Sequence, residues 1–579
     1  MTIRVLSCLL ASGILCHLSE SAGSGRHEQP AAFGALFGSG RNRQRFRRAL
    51  RVSSASPRSF PVSRIGDGQF AVSSVSSQLR PTTLLQAAAG LASQNVPAKE
   101  KRILIAGAGP CGLTTAILLA RRGYKNVQVF ESRQPPPPPD SDLWGNPDRS
   151  YCMGISGRGQ KALNFIGVLE ALKSFAAPVV GRGDWVKGEF RESIDTHKRV
   201  TTLVTQRDRL QAVLLREVQE RYGEQIKVSF GSRLSGLKFV YSKAAREPPG
   251  YPGSHCRVRA TFKETAADGQ TEKQTWYGDV LLATDGVSSA AREEIAKEAE
   301  RRLPNGPTVK ATKFENKNER LYKPILVNFP DNWRRDLNYS GRTKDLNFDA
   351  LPLPSGEYIL LFLFRPDSEE EKALSDKENA KALVRTYFPE VAKHIDEQTW
   401  ESLAQKPSSK LPAFSVCGPE LHWTDCACLL GDSCHTVKPY FGLGVNAALE
   451  DGLALNEALE ETGDDWSRAL PRYSAKRAAD ARALVDMSRG FDEDPSTLWG
   501  FMNFVFPLIL DTYLNRLAPF LFAPNSIRML QDDRLTFGYV QRRKRLDRLI
   551  QAGALCSVVA FLRFAVPWAG RSVRTALAA

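Results

Sequence analysis

No Cys-x-x-Cys pair occurs among the ten cysteines of this 579-residue chain. Two cysteines lie near the N-terminus, one in a C-terminal apolar stretch, and the others are scattered. That distribution excludes a disulfide scaffold and indicates a reducing working environment. Cys426, Cys428, Cys434 and His435 are close in sequence, but their spacing matches no zinc pattern, so they read as buried strand-and-turn residues with no metal. Long apolar runs are also lacking: Val5–Leu18 and Leu549–Leu562 both fall short of the roughly 20 residues a membrane-spanning helix needs. No Ser/His/Asp or Cys/His set stands out for covalent catalysis. Excess charge is a weaker signal than its size suggests. Of the net +16, half comes from the first hundred residues, which hold twelve Lys/Arg against four Asp/Glu. A polyanion-binding surface is therefore not needed, and no nucleic-acid partner is expected.

What is present is a globular composition, 42% hydrophobic and 25% charged, behind an unusual N-terminus. Arg4, the apolar run to Leu18 and the small residues Ser19 and Ser21 read as a secretory signal peptide. Residues 21–80 contain no lysine, only Glu28 and Asp67 as acids, and a basic centre from Arg41 to Arg48. That is the composition of an organelle transit segment. The two together indicate a plastid leader, with a mitochondrial presequence as the alternative, and residues 1–98 are set outside the fold.

From Lys101 the pattern changes. Arg102-Ile-Leu-Ile-Ala-Gly107 reads as a buried parallel strand, Thr114 to Arg122 has helical spacing, and Val127 to Glu131 is a second strand. Between strand and helix stands Gly107-Ala-Gly109-Pro-Cys111-Gly112. In that context the first glycine permits a tight turn, the second lets the backbone approach a pyrophosphate, and the third lets helix and strand pack closely. The helix N-terminus then offers unpaired N–H groups to phosphate, and Glu131 can accept from ribose hydroxyls. Pro135 to Pro139 reads as a solvated polyproline insert.

Two further motifs follow. Asp279 to Arg292 is a strand ending in Asp285-Gly286 with a basic residue six positions on. Leu429 to Asp451 contains Gly431-Asp432, His435, Pro439, Gly442, Gly444, Val445 and Asn446: a strand, a glycine-rich turn, and a helix beginning near Asn446.

The order GxGxxG, Asp-Gly, Gly-Asp resembles the class A flavoprotein monooxygenases, and most of all their kynurenine 3-monooxygenase family. The segments Ser150 to Leu163, Val204 to Leu210 and Gly431 to Asp451 carry that resemblance, which runs from about residue 100 to 460. It implies an α/β fold: a Rossmann-like FAD-binding domain with an inserted antiparallel-sheet substrate domain and a helical C-terminus. It also implies FAD as cofactor, NADPH as a transient co-substrate with no second GxGxxG unit, and hydroxylation of an aromatic substrate with O2 through a flavin C4a-hydroperoxide. The alternative is an epoxidase or reductase acting on a lipid, isoprenoid or quinone. Carried over, the FAD contacts fall on Cys111, Glu131, Arg133, Gly154, Arg207, Asp432, Val445 and Asn446. Asp432 would accept from the ribityl chain, and the helix start would face the isoalloxazine ring. Arg182 falls where a substrate carboxylate is anchored. The family's other polar substrate positions fall near Thr196, Arg489 and Met529, and Leu443 replaces a glutamine. No side chain is assigned as catalytic; His435 reads as a hydrogen-bonding residue of its turn, with proton movement beside the flavin as the alternative.

These readings place the FAD-binding domain in residues 99–172, 203–300 and 425–465. The substrate domain falls in 173–202 and 301–424, and a helical region in 466–579. Within the last, residues 549–569 follow the cluster Arg542 to Arg545 and suit an interfacial helix on an anionic membrane, the alternative being packing on the core.

Overall fold

Ile103, Leu104, Ile105 and Ala106 are all essentially inaccessible, as a strand covered on both faces must be. They lie in β1 (Arg102–Ala106), which passes through Gly107 into α1 (Pro110–Arg121) and returns in β2 (Asn126–Phe130). The helix starts at Pro110, earlier than its apolar spacing indicated, because a proline in the first turn gives up no hydrogen bond. These observations come from a computed structural model that describes residues 97–145, 151–186, 188–196, 198–241, 256–265, 271–306, 308–493 and 497–578. The leader readings up to residue 96 lie outside the described residues.

Parallel pairing extends the unit. β1 runs between β2 and β3 (Val280–Ala283), and β3 pairs with β4 (Ala427–Leu429). The Ile226–Ser229 strand beside β2 and the antiparallel pair His422–Trp423 beside β4 complete a six-stranded sheet. All three glycine motifs therefore leave the same end of adjacent strands, β1, β3 and β4. α1 packs against this sheet, and the long α2 (Leu443–Glu461), which is followed by α3 (Trp466–Gly490), packs on α1. α2 begins at Leu443, a turn before the expected Asn446, with left-handed Gly442 as its N-cap.

A seven-stranded sheet forms the second layer. Its order is Ser409–Lys410, Leu321–Val327, Tyr358–Phe364, Asn347–Pro352, Leu337–Arg342, Gly181–Val186, Glu189–Ile194. All its pairings are antiparallel except Leu337–Arg342 with Gly181–Val186, which is parallel, so the expected antiparallel sheet is mixed at one junction. Strict alternation along Leu321–Val327 separates its two faces. Phe348, Leu360, Phe362 and Phe364 are buried with Val384, Trp400 and Leu403 of the helices spanning 369–405. On the other face Leu326, Leu351 and Leu361 join Ile359 against Cys152, Val179 and Val204 of a small three-stranded sheet. One face thus holds its own helical cover and the other is turned to the six-stranded half.

The proline run differs from expectation. Pro139 is buried, Trp144 Nε1 donates to the Pro138 carbonyl at 2.7 Å, and Arg209 Nε donates to that of Pro139 at 2.9 Å. A polyproline backbone has no internal hydrogen bonds, so its carbonyls are available as acceptors. At the other end of the chain, the apolar run Leu549–Leu562 is the middle of one helix, α4 (Phe537–Ala578). Among the described residues no helix is long and apolar enough to cross a membrane.

Trp400 is 2% exposed in the helical cover. Trp400→Ala is expected to lower stability by about 3–5 kcal/mol, read as a lower denaturation midpoint.

Candidate functional site

Three turns meet at the common strand end, and at Gly107 and Gly112 their packing leaves no room for a larger residue. Gly107 has φ +103°, and a Cβ there would lie 2.4 Å from the Thr284 carbonyl oxygen. A Cβ on Gly112 would lie 2.0 Å from the Gly107 carbonyl oxygen. Both neighbours are backbone atoms and cannot rotate away. Thr284 Oγ1 ties the first two turns by donating to Ala106 and Gly107 carbonyls at 2.9 Å each. Gly109 is different: within 4 Å its Cβ would meet only Arg207 Nη2, at 3.7 Å. The N-terminus of α1 therefore opens into space with a guanidinium beside it, an arrangement suited to phosphate.

Glu131 directly follows β2. Its Oε2 accepts from Ala108 N and its Oε1 from Arg133 N, both at 2.9 Å. Arg133 itself is mostly exposed and reaches Asp208 only at 4.0 Å. In the second motif Asp285 accepts from Ser289 Oγ at 2.5 Å and Ala291 N at 3.1 Å. Burial raises its pKa, and those hydrogen bonds oppose the shift. Arg292, 2% exposed, links the second motif to the third by donating to the Ser433 carbonyl at 3.2 Å.

The third motif crosses directly over the first. Gly431 has φ +64°, and its Cβ position is 3.3 Å from Cys111 Sγ and 3.1 Å from Ala448 Cβ. Its N–H donates to Asp451 Oδ2 at 2.7 Å. Asp451 also receives His435 Nε2 at 2.8 Å and Arg477 Nε at 2.7 Å. Burial pushes the Asp451 carboxyl up, but Arg477 and His435 more than offset this and hold it at about 2. Asp432 contrasts with it. Among the described residues no hydrogen bond reaches its carboxylate. Burial raises its pKa while His435 and Arg207 pull it back. A half-buried carboxylate at a strand end, with acceptor capacity unused, fits the hydroxyl donors of a ribityl chain.

The side chain of Asn446 is fully engaged within the protein. Its Oδ1 accepts from Ser156 N at 2.9 Å and Gly159 N at 3.1 Å, and its Nδ2 donates to Gly154 and Gly442 carbonyls at 2.9 and 2.6 Å. The side chain clamps the Gly154–Gly159 turn to the start of α2. The first turn of α2 also carries backbone N–H groups with no partner inside the helix, Gly444 and Val445 among them, and their dipole. His435 is fully buried, and its Nε2 bonds Asp451 of α2. Cys434, His435 and Asp451 lie close enough to share an ion, but Arg477 already supplies the cation Asp451 faces.

The substrate positions are less well gathered. Arg182 pairs with Asp184 at 2.8 Å and donates to Ser340 Oγ at 3.3 Å, and no hydrogen bond joins it to the three motifs. Thr196 is in the turn after the edge strand. Leu443 and Met529 share one buried apolar cluster, and Arg489 stacks 3.9 Å from the Phe314 ring beside it. The sheet brings forward residues the sequence reading missed. Register places Tyr322, Leu363, Asn347 and Arg342 in one cross-strand row. Arg320 and Arg342 act on the hydroxyl of Tyr440, whose pKa is raised by burial and then by Asp492. Tyr440 donates to Asp492 Oδ1 at 2.7 Å, and buried Lys438 donates to both Asp492 oxygens at 2.8 Å. No local signal announces this group, since Asp492 lies more than 50 residues from both Lys438 and Tyr440.

The FAD binding domain family matches residues 100–488. The chain is 29% identical over 433 residues to a kynurenine 3-monooxygenase of Emericella nidulans, covering 68% of this chain and 78% of that one. It is 23% identical over 468 residues to the Caenorhabditis elegans protein of the same name, covering 77% and 93%. A solved structure of a variant of 2-methyl-3-hydroxypyridine-5-carboxylic acid oxygenase shares the fold with a TM-score of 0.50, at 17% identity, covering 67% of this chain and 90% of that one.

Asp432→Ala removes the unused acceptor. The purified protein is expected to lose most of its FAD and, with it, the stability that ligand binding adds. Flavin absorbance per protein and the melting temperature, with and without added FAD, check both.

Proposed function

The chain belongs to the FAD binding domain family, and from that premise we propose that this class A FAD-dependent monooxygenase hydroxylates a small aromatic substrate using NADPH and O2. The observation that carries the reading is the convergence of the three turns on one open strand end, with the Asp432 carboxylate free to accept. The residues present fit FAD. The N-terminus of α1 and Arg207 would hold the pyrophosphate, Glu131 the adenosine ribose, Asp432 the ribityl chain, and the first turn of α2 the ring. Bound FAD would supply the redox and oxygen-activating chemistry. The protein's part is to bind, orient and exclude water. N–H groups at the start of α2 favour negative charge on the reduced ring. The sheet row Tyr322–Leu363–Asn347–Arg342 would roof the substrate, and Arg182 remains the carried-over anchor for a carboxylate.

A second reading has its own observation. Leu443 and Met529, where the resemblance expects polar substrate contacts, are buried in an apolar cluster. This favours an apolar ring, or a lipid, isoprenoid or quinone handled by an epoxidase or reductase. For placement in the cell, the proposal is a plastid, or else a mitochondrion, reached through the N-terminal leader. Association with a membrane surface would run through α4, where Leu549, Leu555, Val558 and Phe561 are each more than half exposed. The basic residues Arg542, Arg543 and Arg545 precede them on the same helix.

NADPH oxidation by FAD-loaded protein lacking the leader, with and without L-kynurenine, tests the first reading. Stimulation together with a product heavier by one oxygen is the expected outcome. A flavin-loaded protein that ignores L-kynurenine but responds to apolar rings would replace it with the second.

A further inference from the structure

α2 is an apolar helix that carries two adjacent acids, Glu450 and Asp451, into the interior. Asp451 has no exposed surface and Arg477 is 6% exposed. A buried charge of this kind is costly unless its partners and hydrogen bonds are complete. Here they are nearly so. Arg477 Nε donates to Asp451 Oδ1, and its other nitrogens reach Glu450 at 3.4 Å, Asp480 at 3.5 Å and the Ala447 carbonyl at 3.3 Å. Glu450 in turn receives Arg158 at 3.0 Å. The oxygen of Asp451 that faces away from Arg477 takes two close donors, the Gly431 N–H and His435 Nε2, with the Cys434 thiol farther off at 4.0 Å. Those donors flank Asp432 in the chain, one residue before it and three after. The network therefore ends on the two groups that fix how Asp432 is presented.

We propose that Asp451 is the positioning residue of the flavin turn: from α2, braced by Arg477, it fixes Gly431 and His435 so that the Asp432 carboxylate is held toward the cofactor. The inference rests on the FAD reading above and assigns the anchor that reading lacks. It has an electrostatic corollary. Burial pulls the His435 imidazole down, but the charge and hydrogen bond of Asp451 overcome this and the net shift is upward. His435 then lowers the pKa of Asp432, as does Arg207 at the start of helix Arg207–Arg221, whereas Asp451 raises it. The remaining titratable groups facing Asp432 are Cys111 of α1 and Tyr151. Asp432 accepts hydrogen bonds more strongly when ionised, so FAD affinity is greatest above its pKa and falls as pH drops through it. Removing the His435 charge raises that pKa and moves the acid loss of FAD to higher pH.

The test is titration of apo-protein with FAD between pH 5 and 8.5, followed by flavin fluorescence, for the parent and three variants. Asp451→Asn is expected to weaken FAD by about tenfold or more at pH 8, the size of one lost charge-assisted hydrogen bond. His435→Gln keeps a donor toward Asp451 without charge. It should bind within about threefold of the parent at pH 8, with its acid midpoint shifted upward. Trp400→Ala, remote in the sheet's helical cover, should lower stability without changing FAD affinity. Parental affinity in folded Asp451→Asn, an unmoved midpoint in His435→Gln, or an equal loss in Trp400→Ala would each overturn the proposal. A parent that binds no FAD at any pH would instead bring down the FAD reading, and this inference with it.

Discussion

A backbone contact with no room for a side chain governs this molecule. The start of α1 approaches the end of β1 so closely that a single Cβ on Gly112 would overlap the Gly107 carbonyl. Because that approach is possible, the N-terminus of α1 comes level with the ends of β1, β3 and β4. The Asp285-Gly286 and Gly431-Asp432 turns can then close over it. Cys111 Sγ against Gly431, and Thr284 Oγ1 against Gly107, are further consequences of the same packing. Sterics therefore decide where the site lies before any polar group takes part.

Charge then decides how the site is held. Interior acids and bases would oppose folding if they stood alone. They form instead a chain from Arg158 through Glu450 and Arg477 to Asp451, whose last links are a backbone N–H and an imidazole of the flavin turn. Arg158 also donates to the carbonyls of Asp532, at 2.8 Å, and Leu535, and it stacks on Phe537 at the base of α4. The C-terminal helix is thus tied to the same network that braces Gly431. Asn446 does comparable work with neutral groups, its amide fully occupied between Gly154, Ser156, Gly159 and Gly442.

The seven-stranded sheet is built by another rule. It depends on strand register, which fixes the face each residue takes and which residues stand level across four strands. Tyr322, Leu363, Asn347 and Arg342 are level for that reason alone. Lys438, Tyr440 and Asp492 join the loop before α2 to the end of α3 through one shared carboxylate. The apolar Leu443 and Met529 beside them form a cluster of a different character from the polar turns at the strand ends.

The division between what was legible and what was not follows from distance along the chain. The GxGxxG turn, its strand and helix, the Asp-Gly and Gly-Asp turns and the alternation of Leu321–Val327 are local patterns. Steric limits on glycine and the two-residue period of a strand write them into short segments. By themselves they determined an α/β fold and the residues at the strand ends. The roles of Asn446 and Asp451 could not be read in that way, since an amide or carboxylate in a helix looks the same whether it meets ligand, backbone or guanidinium. Nor could the small sheet under Ile359 be read, whose strands are distant in sequence, or the group in which remote Asp492 joins Lys438 and Tyr440. Only the tertiary structure decided these, because hydrogen bonds and charge pairing depend on separations of a few ångströms, which packing sets and chain order does not.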